Sequence, residues 1–371
     1  MHSYFLHKGI GMFKQKVSVF AVVLLVLFSV SSNAFAAERV HKWRIALSWP
    51  LSLTPLASPP QKFAKMVNEM SNGRMEILVD GPEKHKAALG VFDMVKLGQY
   101  EMAHSGSYYW KGKDIDTLFF TSMPFGMTMD EQYAWFYYGG GLELMQKVYG
   151  KHGMYSFPGG NTGVQMGGWF RKEINSLDDL KGLKMRIPGF AGEIMAKLGV
   201  VTVNLPGGEL YMALDRGNLD ALEWVGPGMD IKMGFHKVAP YYYIGWHEPA
   251  SEMQFMINKK KFDALPKDLQ AIVITAMQAS AADMYYENYA ASADAWEKMQ
   301  KEFPDIKVKE FPLPVLKAMK KANDELIAEL EQKGGTTKEI IESQRVFMKK
   351  AREWSKISEY YYLRNMFAIE N

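Results

Sequence analysis

Apolar and polar positions recur along the chain with two periods, near 2 and near 3.6, and each switch between them marks a candidate element. "WRIALSW" (43–49) alternates and predicts a strand. "PPQKFAKMVNEMSNG" sets Phe63, Met66, Val67 and Met70 at helical spacing and stops at Gly73. "RMEILV" then alternates through Met75, Ile77 and Val79, a second helix is predicted over 91–97 before Gly98, and "YEMAHSGS" reads as the next strand. The pattern restarts near residue 161. "NTGVQMGGWF" is strand-like, "NSLDDLKG" a short capped helix closed by Gly182, "LKMRIPG" a strand stopped by proline, and "AGEIMAKLG" a helix. "VVTVNL" is again a strand, "GGELYMALDRG" a helix with Leu210, Ala213 and Leu214 on one face, and "NLDALEWVGP" the next strand. Such alternation predicts βαβ units on parallel sheets, hence the α/β class, and two clusters of it predict two lobes.

The last third reads differently. From Pro266 to Phe303 there is no internal proline or glycine. One helix over that stretch would be roughly 57 Å long, enough to cross both lobes unless it kinks. Further helical sequence ends in "EWSKISEYYYLRNMF", where Trp354, Ile357, Tyr360 and Tyr361 recur at i, i+3, i+6 and i+7. That stripe packs on its own lobe or docks on another subunit.

Composition narrows the chemistry. Lys14 and Lys16 precede an apolar run over 17–30, and Ala34 and Ala36 form an A-x-A site, the order of a secretory signal peptide cleaved after Ala36. The run is shorter than the ~20 residues of a spanning helix. Loss of residues 1–36 removes Lys8, Lys14 and Lys16 and no acid, so the formal charge of +3 falls to 0. Lysines and glutamates are mixed along the helices, which argues against a nucleic-acid surface. With no cysteine, disulfides, zinc–thiolate sites and thiol nucleophiles are excluded. The sequence holds no G-x-S-x-G, H-E-x-x-H, Walker A or G-x-G-x-x-G motif.

What remains is a set of polar residues at predicted strand ends: Gln165 in "GVQMGG", Arg186 in "KMRIPG", Glu223 and Trp224 in "LEWVGP", and Glu248 in "YYYIGWHE". Ligands of open α/β sheets sit outside the carboxyl ends of the strands, so these residues can converge. Taken singly, each has a plainer explanation. A strand-end arginine is most often salt-bridged at the surface, and the aromatics of "GSYYW" and "PYYYIGWHE" most often pack.

The segments "GNTGVQMGGWFRKEINSLDDLKGLKMRIPG", "VNLPGGELYMALDRGNLDALEWVGP" and "PYYYIGWHEPASE" together resemble the solute-binding proteins of TRAP (tripartite ATP-independent periplasmic) transporters. The similarity is to the DctP-type branch that takes 2-oxo acids and lactate, and it runs from Trp43 to the C-terminal helices. The resemblance implies a two-lobed periplasmic-binding-protein fold, class II-like, with a long helix across both lobes. The first lobe would comprise 37–161 with about 249–288, the second 162–248 with about 289–320, and C-terminal helices 321–371 would support a dimer. It further implies that Arg186 pairs with the ligand carboxylate. Gln165, the Glu223 side chain and the Trp224 carbonyl would hold a cation, Na+ or Ca2+, that also touches the ligand; Glu248 would contact the ligand; and Tyr108 and Tyr109 would line the cleft from the first lobe. The implied role is non-enzymatic: periplasmic capture of pyruvate, lactate or a similar small acid, with delivery to membrane permease subunits. One departure is that Ile244 leads straight into Gly245, where the branch commonly carries a proline. Read from the residues alone, an exported metal-dependent hydrolase or lyase stays open, with His247 or Glu248 as its base.

Overall fold

The computed structural model describes residues 40–370. The signal-peptide segment read at 1–36 lies outside the described residues. Two mixed sheets organise the chain, and the stretch from Lys42 onward packs as one compact unit.

The first sheet contains β1 (His41–Leu47), β2 (Met75–Asp80), β3 (Met102–Ser105) and β4 (Met154–Asn161), joined late by β10 (Glu252–Asn258), in the order β2-β1-β3-β10-β4. The second contains β5 (Gly168–Phe170), β6 (Lys184–Arg186), β7 (Val201–Val203), β8 (Ala221–Leu222), β9 (Tyr241–Tyr243) and β11 (Lys307–Lys309), in the order β11-β9-β5-β8-β6-β7. β1 runs parallel to β3, and β6 parallel to β7 and β8, as the alternation predicts. The expectation of wholly parallel sheets fails at β10 and β5, which run antiparallel to their neighbours. Each is a strand that has just arrived from the other sheet.

Strand periodicity divides the interior into two apolar layers. Ile45 and Leu47 of β1 enter one and Ala46 the other, while Trp169 of β5 joins the first and Phe170 the second. Both layers therefore pass continuously from sheet to sheet. The helices that cover them follow their apolar spacing. Helix α1 (Ser58–Met70) buries Phe63 and Val67, and complete burial of a side chain like Phe63 contributes ~1.5–3 kcal/mol. Helix α2 (Val91–Lys96) covers the other face through Phe92 and Val95. Helices α3 (Met129–Tyr138) and α4 (Gly141–Gly150) follow, then α5 (Gly189–Lys197), α6 (Gly207–Asp215) and α7 (Pro227–Met233) on the second sheet.

The long helix is present as α8 (Lys267–Glu302), which packs on α1 and β4 at one end and on α7 further along. Its buried positions, Leu269, Val273, Met277, Met284 and Asn288, keep one helical face against the body. Helices α9 (Leu313–Glu331), α10 (Gly335–Ile357) and α11 (Glu359–Glu370) complete the chain. The aromatic stripe expected there is not one continuous face, because Ser358 (φ −107°, ψ −107°) breaks the helix between Ile357 and Glu359. It does not pack on its own lobe either: Trp354, Ile357, Tyr360 and Tyr361 are all exposed, and no described residue of α11 is buried. Among the described residues, no helix is long and apolar enough to cross a membrane.

Candidate functional site

The chain passes between the sheets in two short crossovers, residues 162–167 from β4 to β5 and 244–251 from β9 to β10. The first was expected to be strand. It is irregular instead, with Gly163 in the left-handed region (φ +66°), and the two crossovers are laced together by their backbones. Thr162 donates to the Ser251 carbonyl (3.1 Å), Gln165 to that of Glu248 (2.9 Å) and Gly167 to that of Tyr243 (2.7 Å). This lacing brings Gln165 beside Glu248. Met166 donates to the Val225 carbonyl (2.9 Å), which draws in the segment after β8, and Glu223 donates to the Arg186 carbonyl (3.2 Å), which ties that segment to the end of β6. Four sequence-distant stretches thus meet where the sheets join.

Arg186 is 1% exposed. Its Nε–H donates to the Leu205 carbonyl (3.2 Å), Nη1 to the Glu223 carbonyl (2.9 Å) and to Glu223 Oε1, and Nη2 to the Tyr109 hydroxyl (3.3 Å). The guanidinium carbon lies 5.2 Å from the Trp224 ring, whose face is its floor. Burial alone would lower the arginine pKa, but Glu223 and the two tyrosines outweigh it and raise it. The sequence expectation of a free two-pronged fork needs amendment. Nε and Nη1 are engaged by the chain's own oxygens, so the edge left toward a guest is Nη2, beside Tyr109.

Glu223, also 1% exposed, sits between the Arg186 guanidinium and the His247 ring: its Oε2 accepts from His247 Nε2 at 3.3 Å. His247 is fully buried and its Nδ1 has no partner. Burial lowers the histidine pKa, and the hydrogen bond to Glu223 with the nearby Glu248 charge more than reverses this. Glu248 is pushed up to about 7 by burial and by the Glu223 charge, and its Oε2 is buried without a hydrogen-bond partner. Gln165 donates its Nε2 to Thr162 Oγ1 (3.0 Å), which fixes the amide and leaves Oε1 buried and unpaired. Tyr108 and Tyr109 stand edge to face, 4.6 Å apart at 89°, and burial raises both phenols, Tyr108 well above its ordinary value.

Every site residue expected from the sequence is therefore at or beside one locus: Gln165, Arg186, Glu223, Trp224, Glu248, Tyr108 and Tyr109. The structure adds His247, weighed above only as the base of an enzyme. Its one sequence signal was adjacency to Glu248; its contact with Glu223 depends on the crossover. The donor set can be tested against a hard cation. Buried carboxylate and amide oxygens without partners are costly unless something positive meets them. Gln165 Oε1 and Glu248 Oε2 are two such oxygens, and ligand atoms of Glu223, His247 and Glu248 all lie within 4.8 Å of one another. The residues fit a cation held mainly by oxygen.

Comparison with known proteins gives a consistent picture. Residues 50–333 match the family described as bacterial extracellular solute-binding protein, family 7 (DctP). A Nostoc protein described as a monocarboxylate 2-oxoacid-binding periplasmic protein is 40% identical over 322 residues, 86% of this chain and 88% of that one. A TRAP periplasmic solute-binding protein from Colwellia psychrerythraea, solved with calcium and pyruvate, is 55% identical with a TM-score of 0.87, over 88% of this chain and 100% of that one. Its counterpart from Pseudoalteromonas atlantica, solved with sodium and pyruvate, gives the same identity and TM-score over 88% and 99%. A Bordetella bronchiseptica protein, a mixed-occupancy dimer with copurified calcium and picolinate, is 36% identical with a TM-score of 0.86 over 89% and 98%.

Proposed function

The chain belongs to bacterial extracellular solute-binding protein family 7 (DctP), and on that footing we propose that it captures a small 2-oxo monocarboxylate such as pyruvate together with a metal cation. Proteins of this family are the periplasmic receptors of TRAP transporters, not enzymes, and their partners are membrane permease subunits. The hydrolase alternative falls with that membership.

The observation that carries the ligand reading is the pair of unpartnered buried oxygens, Gln165 Oε1 and Glu248 Oε2, around the Glu223 carboxylate. Gln165, Glu223 and the Trp224 carbonyl hold the cation, with Glu248 beside it. When bound, the cation offers a chelation point for a carboxylate oxygen and the neighbouring oxo or hydroxy oxygen, so an acid lacking the second oxygen leaves it short of ligands. Arg186 Nη2 and Tyr109 meet the other side of the ligand carboxylate, and the Trp224 ring supports the guanidinium from below. Tyr108 and Tyr109, in the turn that follows β3, face the ligand from the side of the first sheet. Each sheet is the centre of one lobe, and the crossovers form the hinge. Lactate fits the same donor set. Exposed Tyr360, Tyr361, Leu363 and Phe367 on α11, with the dimer described for the Bordetella relative, support pairing of two copies through the C-terminal helices. Cleavage after Ala36 releases the mature receptor.

The test is calorimetry of pyruvate binding after dialysis against chelator in sodium-free buffer. Binding should be weak there and restored by Ca2+ or Na+. Undiminished affinity under those conditions would refute the cation, and recovery of the bound acid chemically altered would refute the receptor role.

A further inference from the structure

We infer that Asp230 is the positioning residue that turns the Trp224 carbonyl into the cation site and strengthens it as a ligand. This rests on the proposal that this carbonyl is a cation ligand. The argument starts from the peptide plane. The Trp224 C=O and the Val225 N–H belong to one trans peptide unit and point in opposite directions. Whatever grips the Val225 N–H therefore aims the Trp224 oxygen the other way.

The grip is the Asp230 carboxylate. Its Oδ1 accepts from the Val225 N–H (3.1 Å) and the Gly226 N–H (3.0 Å). Its Oδ2 accepts from the Trp169 indole (3.0 Å) and the Tyr242 hydroxyl (2.9 Å). Those two rings stack at 4.0 Å on neighbouring strands β5 and β9, so the carboxylate is anchored to the middle of the second sheet. The next peptide plane is held from the opposite side, since the Val225 carbonyl accepts from Met166. Two successive planes are thus fixed, and the Trp224 oxygen has no freedom to rotate.

The choice of a carboxyl group follows from its two oxygens. Asp230 is fully buried, and among the described residues it makes no ion pair, only bonds from neutral donors. All four partners donate, so an asparagine would turn its Nδ2 hydrogens toward either the backbone pair or the Trp169 indole and leave a buried donor facing a donor. With both oxygens accepting, the hold on the Val225 N–H polarises that amide and shifts electron density onto the Trp224 oxygen.

The dipeptide Trp-Val occurs once in the chain, at 224–225, so protein labelled with carbonyl-13C tryptophan and 15N valine gives one NMR correlation for this peptide unit. With pyruvate present, Ca2+ should move the Trp224 carbonyl shift in the wild type. In Asp230→Asn the Val225 proton should move upfield, and Ca2+ affinity should fall about tenfold or more. Tyr242→Phe removes one Oδ2 donor and leaves the Oδ1 pair intact. It should lower the thermal midpoint, move the Val225 proton downfield and keep Ca2+ affinity at or above wild type. Wild-type Ca2+ affinity in Asp230→Asn would overturn the proposal. So would weakened Ca2+ binding in Tyr242→Phe, which keeps the test alive even if the first variant fails to fold. A Trp224 carbonyl shift indifferent to Ca2+ in the wild type would instead sink the ligand role of that carbonyl, and the Val225 proton would still report the Asp230 contact separately.

Discussion

Arg186 and Glu223 are a buried ion pair before they are a binding site. Both side chains are 1% exposed, and the pair is bonded through Nη1 and Oε1 as well as through the Glu223 carbonyl. Lysine cannot reproduce the planar set of donors that reaches Leu205, Glu223 and Tyr109 at once. Arg186→Lys should therefore retain the fold and weaken pyruvate binding by roughly 10- to 100-fold, the worth of one or two charge-assisted hydrogen bonds. Calorimetry checks this, and unchanged affinity would remove Arg186 from the site. Glu223→Gln acts twice. It leaves a buried guanidinium without its counter-charge, at a cost on the order of 3 kcal/mol in the apo protein, and it abolishes the response of pyruvate binding to Ca2+. Urea unfolding and cation titration separate the two effects. The sequence allowed Gln165, Arg186, Glu223 and Glu248 to be named, because polar residues at strand ends stand out against apolar runs. His247 was legible only through its adjacency to Glu248, and Asp230 not at all. The contact of His247 with Glu223 spans 24 residues and that of Asp230 with Trp169 spans 61, and no local period reports either.

The elements were read well where one period persisted and poorly where the chain changed sheets. α1, β2, α2, β3, β6, α5, β7 and α6 all fall where the hydrophobic pattern put them. The expected strand over 161–170 is instead the end of β4, an irregular crossover and the start of β5, since the backbone there must turn from one sheet to the other. Gly245 shows why this junction tolerates little. A Cβ at that position would stand 1.7 Å from the Gln165 carbonyl oxygen, so glycine is what lets the second crossover touch the first. Gly245→Ala should push the crossovers apart, lowering the thermal midpoint and disabling cation-dependent binding together. Wild-type behaviour on either count would show that the junction can give. At the other end of the chain, the proposed pairing through α11 predicts that deletion of 359–371 lowers the mass seen by light scattering from two copies to one and leaves pyruvate affinity unaltered. Equal masses for the two proteins would reject α11 as the interface.

The whole molecule carries buried carboxyl groups whose protonation is tied to folding. Glu252, fully buried at the head of β10, accepts from the backbone N–H groups of Gly159 (2.7 Å) and Gly160 (3.1 Å) and from Asn161, and so holds the end of β4 where it leaves the first sheet. Burial nevertheless pushes its carboxyl up to about 8, and that of Asp230 to about 7. A carboxyl raised in the folded state binds a proton that the unfolded chain has already released above ~4.5. Between that point and pH 8 the folded state therefore holds more protons than the unfolded one, and stability falls as pH rises. His104 works in the other direction. Buried against the Gly159 carbonyl at 2.8 Å, it is lowered to about 4, so the unfolded chain gains a proton first as pH drops below 6.5, and stability falls toward acid. Between about pH 4.5 and 6.5 the two carboxyls outweigh the single imidazole, so the ligand-free protein should be most resistant to urea toward the acid end of that window, at about pH 4.5, with a midpoint that declines steadily toward pH 8.5. In Glu252→Gln the alkaline decline should become shallower while the acid arm stays as it was, because His104 is untouched. An alkaline arm equally steep in the variant would mean that Glu252 is already ionised in the folded protein, held by the Gly159 and Gly160 amides strongly enough to overcome its burial.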